Sequence, residues 1–369
     1  MTPDCRNVWH GVSRRGVDKK MTKEKNIQKI LVFKPSSLGD ILHVFPALQI
    51  LHDNYPEAML DFVVNTEFAP LLDFSPFPVR KRILFERKKL SCLTTAPEAF
   101  FSLLKNLRQE KYDLVIDFQG LLRSSFFAWM SSHKPGSLCG FDSPREKVSK
   151  IFYSRRAKTK TSHAVEKNVE LANFAIGADC AVPSPVVPID DRFRKNFAEL
   201  PDNYLLLLPG ARWESKCFPA KLFAEISVEV SRKHSDVHFI IAGSKAEIPR
   251  AEELKSHLPD DFPVTDLTGK TSLGELFALT EKAAAVVCND SGPMHIAALL
   301  QTPVFAFFGP TDPEKTGPWN QGKRVFKTDC DCAVCMKKQC PLPETLCHAV
   351  DPGKVSSAIS EQIYRKEQL

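Results

Sequence analysis

"KPSSLGDILHVFPAL", residues 34–48, takes the chain from one hydrophobic period to another. The run before it, KILVF at 29–33, is short and apolar in the manner of a buried strand, and Ile41, Leu42, Val44, Phe45, Leu48 and Leu51 then recur as one helix face. Pro35, two serines, Gly39 and Asp40 stand between the two patterns, so the stretch reads as strand, tight loop and helix. Asp40 falls at or beside the helix start, where a carboxylate caps open backbone N–H groups and where a ligand can also be met. From this stretch alone, a capped helix without a ligand and a site both remain open.

The same alternation continues along the chain. "MLDFVVN" (59–65), "RILF" (82–85) and "DLVIDFQG" (113–120) are strand-like, and "APEAFFSLLKNLRQEKY" (96–112) and "LLRSSFFAWM" (121–130) are helix-like. Repeated βα units imply a parallel sheet. "GADCAVPSPVVPIDDRF" (177–193), rich in proline and small residues, breaks the pattern as a linker does. Beyond it "YLLLLPG", "VHFIIAGS", "PVTDLTG", "AAVVCND" and "TPVFAFFGP" restart the alternation, each run ending in Gly, Pro, Ser or Asp. The expectation is α/β, with two doubly wound, Rossmann-like domains facing each other across a cleft, residues 21–185 and 186–369, behind a disordered tail at 1–20. In such sheets ligands meet the loops beyond the carboxyl ends of the strands. Neither GxGxxG nor GxxxxGK[ST] occurs, which disfavours nicotinamide dinucleotides and P-loop hydrolysis.

At 369 residues the chain is long enough for two cores, and its net charge of +6 is modest. The cations cluster in the first half, in "RKRILFERKK" (80–89) and "REKVSKIFYSRRAKTK" (145–160), which suits an acidic partner or a solvated face. No segment has the uninterrupted apolar length of a spanning helix, and residues 1–20 lack the apolar stretch of a signal peptide, so a cytoplasmic location is expected.

"VVCNDSGPMHIAAL" (286–299) passes from a buried strand into a helix, with Asp290, Ser291 and Gly292 at the junction and His295 on the first turn. Free N–H groups there, the Ser291 hydroxyl and a close approach at Gly292 suit a diphosphate, to which His295 can donate. "LLLLPGARWESKCFP" (205–219) ends a strand at Pro209 and Gly210 and brings Arg212 and Lys216 close behind as a cationic clamp.

Five stretches, "KPSSLGDILHVFPAL", "DLVIDFQGLLRSS", "FYSRRAKTKTSHAVEK", "NDSGPMHIAAL" and "FFGPTDPEKTGP", resemble the lipopolysaccharide heptosyltransferase family, glycosyltransferase family 9, in the same order from about Lys29 to Ser357. The first and third are most similar to its heptosyltransferase I branch. The resemblance implies a GT-B fold and inverting, metal-independent transfer of L-glycero-D-manno-heptose from ADP-heptose to a Kdo hydroxyl of the lipopolysaccharide inner core, with no cofactor. The alternatives are a relative that adds heptose to heptose or uses another nucleotide sugar, and a non-catalytic nucleotide-sugar-binding shell. By position, the resemblance makes Asp40 the general base and Lys216 the partner of the diphosphate, with Gly210, Ala211, Arg212, Ser291, Gly292 and His295 around it. It puts Asp290 on heptose hydroxyls, Glu247 on the ribose and the backbone near Thr271 on the adenine. It puts Ser37, Gly39, Gly120, Arg123 and Arg145 on the acceptor side. Where the enterobacterial pattern has two threonines in the phosphate loop, this chain has Ala211 and Arg212. The implied partners are ADP-heptose, a Kdo-lipid A type glycolipid and the cytoplasmic face of the inner membrane, peripherally; nucleic acid is not among them.

"CDCAVCMKKQCPLPETLCH" (330–348) lies outside that account. Cys330, Cys332, Cys335, Cys340 and Cys347 crowd together and read first as reduced packed thiols; the alternative is a structural zinc, for which the first four have the softness and spacing. In either case the Cys-rich segment at 330–347 is expected to be separable from catalysis.

Overall fold

The computed structural model describes residues 27–367 apart from 88, 92, 93, 329, 331, 333, 343 and 344; the tail expected at 1–20 lies outside the described residues. The chain divides into two compact units. The first holds the chain to Ser36, Val44–Thr161 and Val165–Val186; the second holds Ser37–His43, Ser162–Ala164 and the chain from Val187 onward.

In the first unit β1 (Lys29–Phe33), β2 (Met59–Val64), β3 (Val79–Leu84), β4 (Leu114–Asp117), β5 (Leu138–Phe141) and β6 (Arg155–Ala157) form one sheet in the order β3-β2-β1-β4-β5-β6. Every pairing is parallel; Val32 stands between Phe62 and Ile116. In the second, β7 (Tyr204–Leu208), β8 (His238–Ile241), β9 (Val264–Asp266), β10 (Ala285–Asn289), β11 (Val304–Phe308) and β12 (Val325–Lys327) form a parallel sheet in the order β12-β11-β10-β7-β8-β9. Both follow one doubly wound path. The chain steps outward from the first strand, then returns to lie beside it with the fourth, so each sheet has its switch point between those two strands.

Helices connect the strands among the described residues: α1 (Leu38–Leu42), α2 (Phe45–Asn54), α3 (Ala96–Arg108), α4 (Leu122–Ser131), α5 (Ala164–Ile176), α6 (Asp191–Lys195), α7 (Ala220–Lys233), α8 (Ile248–Ser256), α9 (Leu273–Lys282), α10 (Gly292–Leu299), α11 (Pro313–Thr316) and α12 (Pro352–Glu367). The single helix expected across 41–51 is two, α1 and α2. Pro46 sits in the first turn of α2, where it needs no N–H partner; inside a continuous helix its ring would clash with the carbonyl of Leu42. The expected face is nonetheless buried, with Ile41, Val44, Phe45, Leu48 and Leu51 all inaccessible.

The central strands of the second sheet, β7, β10 and β11, are buried at every position and almost wholly apolar because both faces are covered. Leu205, Leu207, Phe239, Ile241, Val287, Phe305 and Phe307 pack on one side; Leu206, Leu208, Ile240, Val286, Cys288, Ala306 and Phe308 pack on the other. Each such side chain contributes roughly 1.5–3 kcal/mol on leaving water, which fixes the strand ends from which the loops below depart. The first unit has its own core, with Leu31, Phe33, Val63, Ile83 and Val115 against Leu103, Leu107 and Phe127.

Candidate active site

In the second unit β7 and β10 are neighbours at the switch point, and their exit loops carry the charged residues. The side chain of Asn289, the last residue of β10, clamps the two loops together: its amide donates to the Pro209 carbonyl at 2.6 Å and its oxygen accepts from the Phe218 N–H at 3.3 Å. Next to it, Asp290 receives Lys216 Nζ at 2.6 Å and a hydrogen bond from the Thr311 hydroxyl. Lys216 also stands 4.8 Å from the centre of the Trp213 ring. The lysine expected to serve the diphosphate is thus held by a carboxylate expected to serve the sugar, and Arg212 is exposed beside them. Ser291 is the N-cap of α10 in extended conformation, and its buried Oγ has no hydrogen-bond partner among the described residues. A buried hydroxyl beside open helix N–H groups suits an anion.

His295 lies one turn into α10 and is 9% exposed. Burial holds its pKa down at about 4, and Lys216 and His163 push the same way, against the opposing pull of Asp290 and Asp40. Its imidazole is therefore neutral at pH 7 and offers a hydrogen bond, where the sequence left open whether it brings charge. α1, which belongs to this unit, packs on α10. His43 Nε2 lies 3.0 Å from His295 Nδ1, the rings meeting edge to face at 80°. One of those two nitrogens donates a hydrogen bond to the other. A Cβ on Gly39 would stand 2.3 Å from His295 Cδ2 and 2.7 Å from Nε2, so glycine is what lets the ring lie against α1. Gly292 likewise faces Leu38, whose Cδ2 would come within 2.9 Å of a Cβ there. His163 stands with its ring centre 5.9 Å from that of His43 and its Nε2 3.1 Å from the Gly317 carbonyl.

Asp40 is at the third position of α1 and half-buried. Its Oδ2 accepts from the Ser37 N–H at 3.1 Å and lies 3.3 Å from the Ser37 hydroxyl, so the capping role foreseen for it is real. The same fold brings it within electrostatic range of His295. Glu247 and Gly210 are a second cluster. A Cβ on Gly210 would fall 1.6 Å from Glu247 Oε1, and Glu247 Oε2 accepts from the Ser244 N–H at 2.5 Å, so the carboxylate is pinned directly over a glycine. Thr271 is on the next loop, joined to this one by the Gly269 N–H donating to the Gly243 carbonyl at 2.8 Å.

In the first unit Gly120 follows β4 with φ +69°, a left-handed turn that glycine makes without strain. Its carbonyl accepts from the Glu146 N–H at 3.0 Å, and a Cβ on it would stand 3.2 Å from the Arg145 backbone nitrogen, so the Gly120 turn and the loop at Arg145 lie together, with Arg123 the second residue of α4 just beyond. Asp117, fully buried at the end of β4, anchors the cluster: it accepts from the N–H groups of Gln119 and Gly120 and from the hydroxyls of Ser124 and Tyr153. Burial still raises its pKa against those four bonds.

In the Cys-rich segment Cys330 and Cys332 have sulfurs 3.5 Å apart, but Cys335 is exposed and Cys347 is buried against Gly309. Among the described residues no group of three or more His, Cys, Asp or Glu is placed to hold a metal ion. A four-thiolate zinc site is therefore not supported. Nor is the segment remote from the charged loops. The Ser215 hydroxyl donates to the Lys337 carbonyl at 2.6 Å, the Ser215 N–H to the Lys338 carbonyl at 3.2 Å, and His348 Nε2 is 2.8 Å from the Ser215 carbonyl. The turn that presents Lys216 is braced by it. Sequence reasoning missed Asn289, Thr311, His43, Asp117 and Ser215, for which only the polar residue type inside or beside an apolar run was a signal.

Two doubly wound units, each a parallel sheet with its own switch point, are the GT-B architecture. Residues 100–346 match the model of glycosyltransferase family 9 (heptosyltransferase), and the chain belongs to that family. It is 31% identical over 321 residues to lipopolysaccharide heptosyltransferase 1 of Pseudomonas aeruginosa, covering 86% of this chain and 88% of that protein. Among solved structures it is similar to the E. coli ADP-heptose lps heptosyltransferase II, with a TM-score of 0.73, 21% identity and coverage of 92% of this chain and 100% of that one. It is also similar to the E. coli heptosyltransferase WaaC with ADP-2-deoxy-2-fluoro heptose, with a TM-score of 0.65, 28% identity and coverage of 78% and 90%.

Proposed function

We propose that the chain is an inverting, metal-independent heptosyltransferase of the lipopolysaccharide core, moving L-glycero-D-manno-heptose from ADP-heptose to a Kdo hydroxyl at the cytoplasmic face of the inner membrane. The observation that carries the reading is the gathering of Asp40, His295 and the Lys216–Asp290 pair around the start of α10 within one unit. Likeness to a heptosyltransferase 1 supports Kdo as acceptor, and likeness to a structure containing an ADP-heptose analogue supports the donor.

In this reading the acceptor oxygen attacks the anomeric carbon as the bond from that carbon to the diphosphate oxygen breaks. The hydroxyl proton passes to Asp40, and ADP departs from the opposite face with the bonding electron pair. A carboxylate suffices as base because the hydroxyl becomes acidic only as its bond to an oxocarbenium-like centre forms. Charge builds on the leaving diphosphate, where the start of α10, Ser291 Oγ, the neutral His295 and the cations Lys216 and Arg212 stabilise it. The backbone of Gly210, Ala211 and Gly292 lies along the diphosphate. Lys216 then exchanges the Asp290 carboxylate for phosphate, which leaves Asp290 to accept from heptose hydroxyls; Glu247 receives the ribose and the backbone near Thr271 the adenine. Ser37, Gly39, Gly120, Arg123 and Arg145 serve the anionic acceptor.

ADP release from ADP-heptose, measured with Kdo-lipid A and with an already heptosylated acceptor, tests this. Turnover is expected with the first, undiminished by EDTA. Turnover with only the second would make the enzyme one that adds heptose to heptose, and turnover with neither would leave a binding shell.

A further inference from the structure

The first unit carries large apolar side chains that its core does not use. α3, α4 and the 3₁₀ turn Lys147–Phe152 pack side by side, joined by a relay of rings: Phe100 to Phe126 at 6.3 Å, Phe126 to Phe152 at 5.8 Å and Trp129 to Phe152 at 5.9 Å. Around this relay Phe101 is 67% exposed, Ile151 70%, Val148 57% and Leu122 43%, and Trp129, itself a member of the relay, 49%. Singly, exposed apolar residues need no explanation, but five on three packed elements mark a surface built for a partner.

Charge says which partner. In the 3₁₀ turn Lys147 and Lys150 alternate with Val148 and Ile151, and exposed Arg123 and Arg145 flank Leu122 and the start of the turn. Two acids lie nearby, fewer than the four cations: Glu146, which accepts from the Leu122 N–H at 2.6 Å, and Glu98 on α3, within electrostatic range of Lys89. Cations whose stems border aromatic and aliphatic side chains match a bilayer interface, where rings enter the headgroup layer and the charges meet lipid phosphates. We propose that this face of the first unit docks on the surface of an anionic phospholipid bilayer. The inference deepens the peripheral-membrane part of the function proposed above and rests on that reading for the acceptor's location, not for the chemistry.

The full chain is mixed with phosphatidylcholine vesicles with and without phosphatidylglycerol, and sedimented binding and tryptophan emission are followed as salt is raised, with Trp129→Phe isolating the contribution of that ring among the four tryptophans. Binding is expected only with the anionic lipid, with a blue shift of the tryptophan emission and loss at high salt. The variant W129E/I151E, both sites being on the surface, should lose at least tenfold in partitioning. K147E/K150E should lose about fivefold for each cation removed. Both variants should keep the wild-type circular dichroism and the wild-type rate on a delipidated, water-soluble acceptor. Wild-type protein that ignores anionic vesicles, or variants that bind as well as it does, overturn the proposal. So does a wild-type dimer that I151E converts to a monomer, which would assign the face to a second copy of the chain. Vesicle binding by a protein inactive on every acceptor would sink the transferase reading and leave the docking face standing.

Discussion

His295 should stay unprotonated well into the acid range, and its stability consequence has a definite sign. In the unfolded chain this histidine binds its proton near 6.5; in the fold, with burial outweighing the attraction of Asp290 and Asp40, it does so at about 4. Between those values the unfolded state holds more protons than the folded one, so stability falls as pH falls through that window and is fully present above 6.5. The gap, at about 1.4 kcal/mol for each tenfold in proton affinity, places the loss near ~3 kcal/mol for a site this buried. NMR of histidine-labelled protein, with the resonance assigned through His295→Asn, reads the titration directly. Denaturant unfolding of the second unit at about pH 7.5 and about pH 4.5 reads the linkage, and the drop should be smaller in His295→Asn by up to that amount. Titration of His295 at or above pH 6 would refute the argument that burial dominates, and with it the view that this side chain donates a hydrogen bond and carries no charge.

Asp40→Asn keeps the Ser37 cap but not the basicity; turnover should fall by roughly two to four orders of magnitude with little change in donor affinity, and near-normal turnover would remove Asp40 from the mechanism. Lys216→Ala should lower the rate through lost leaving-group stabilisation, roughly 100-fold, and leave Asp290 buried without its cation, so a lower melting temperature should accompany it. Gly39→Ala drives a methyl into the His295 ring; a cost of about 1–3 kcal/mol and a roughly 10- to 100-fold slower reaction are expected, and an unperturbed variant would show that the ring does not rest there. Ser215→Ala cuts the bond to the Lys337 carbonyl, and a fall of several-fold in kcat with the fold intact would show the Cys-rich segment acting through the Lys216 turn.

What could be read from the sequence follows contact range. Strands with four or five consecutive apolar residues, such as YLLLL and AVVCN, announce themselves because both faces are buried, and Asp290, Ser291, His295 and Lys216 follow from their position just beyond such runs. β5, β6 and β12 went unread: β6 and β12 have three residues each and carry the cations Arg155, Arg156 and Lys327, and β5 includes Gly140. The break between α1 and α2 was marked by Pro46 inside an otherwise continuous apolar face. Least legible were the partners of the site residues. Gly39 looked like a loop glycine until His295, some 250 positions away, was found against it, and Lys216 gave no sign that Asp290 and the backbone near Lys337 would hold it.

The assignment of Ser37–His43 to the second unit changes what a recombinant chimera must carry. A crossover in the proline-rich stretch near Val187 exchanges donor halves between relatives at a place that looks harmless in the sequence, yet it grafts α10 of one parent onto α1 of the other. His295 would then meet a foreign residue in place of Gly39 and a foreign partner in place of His43, and Gly292 a foreign Leu38. Grafts that move residues 37–43 together with the C-terminal half should retain activity where simple crossovers lose it. The unit of inheritance here is a discontinuous one.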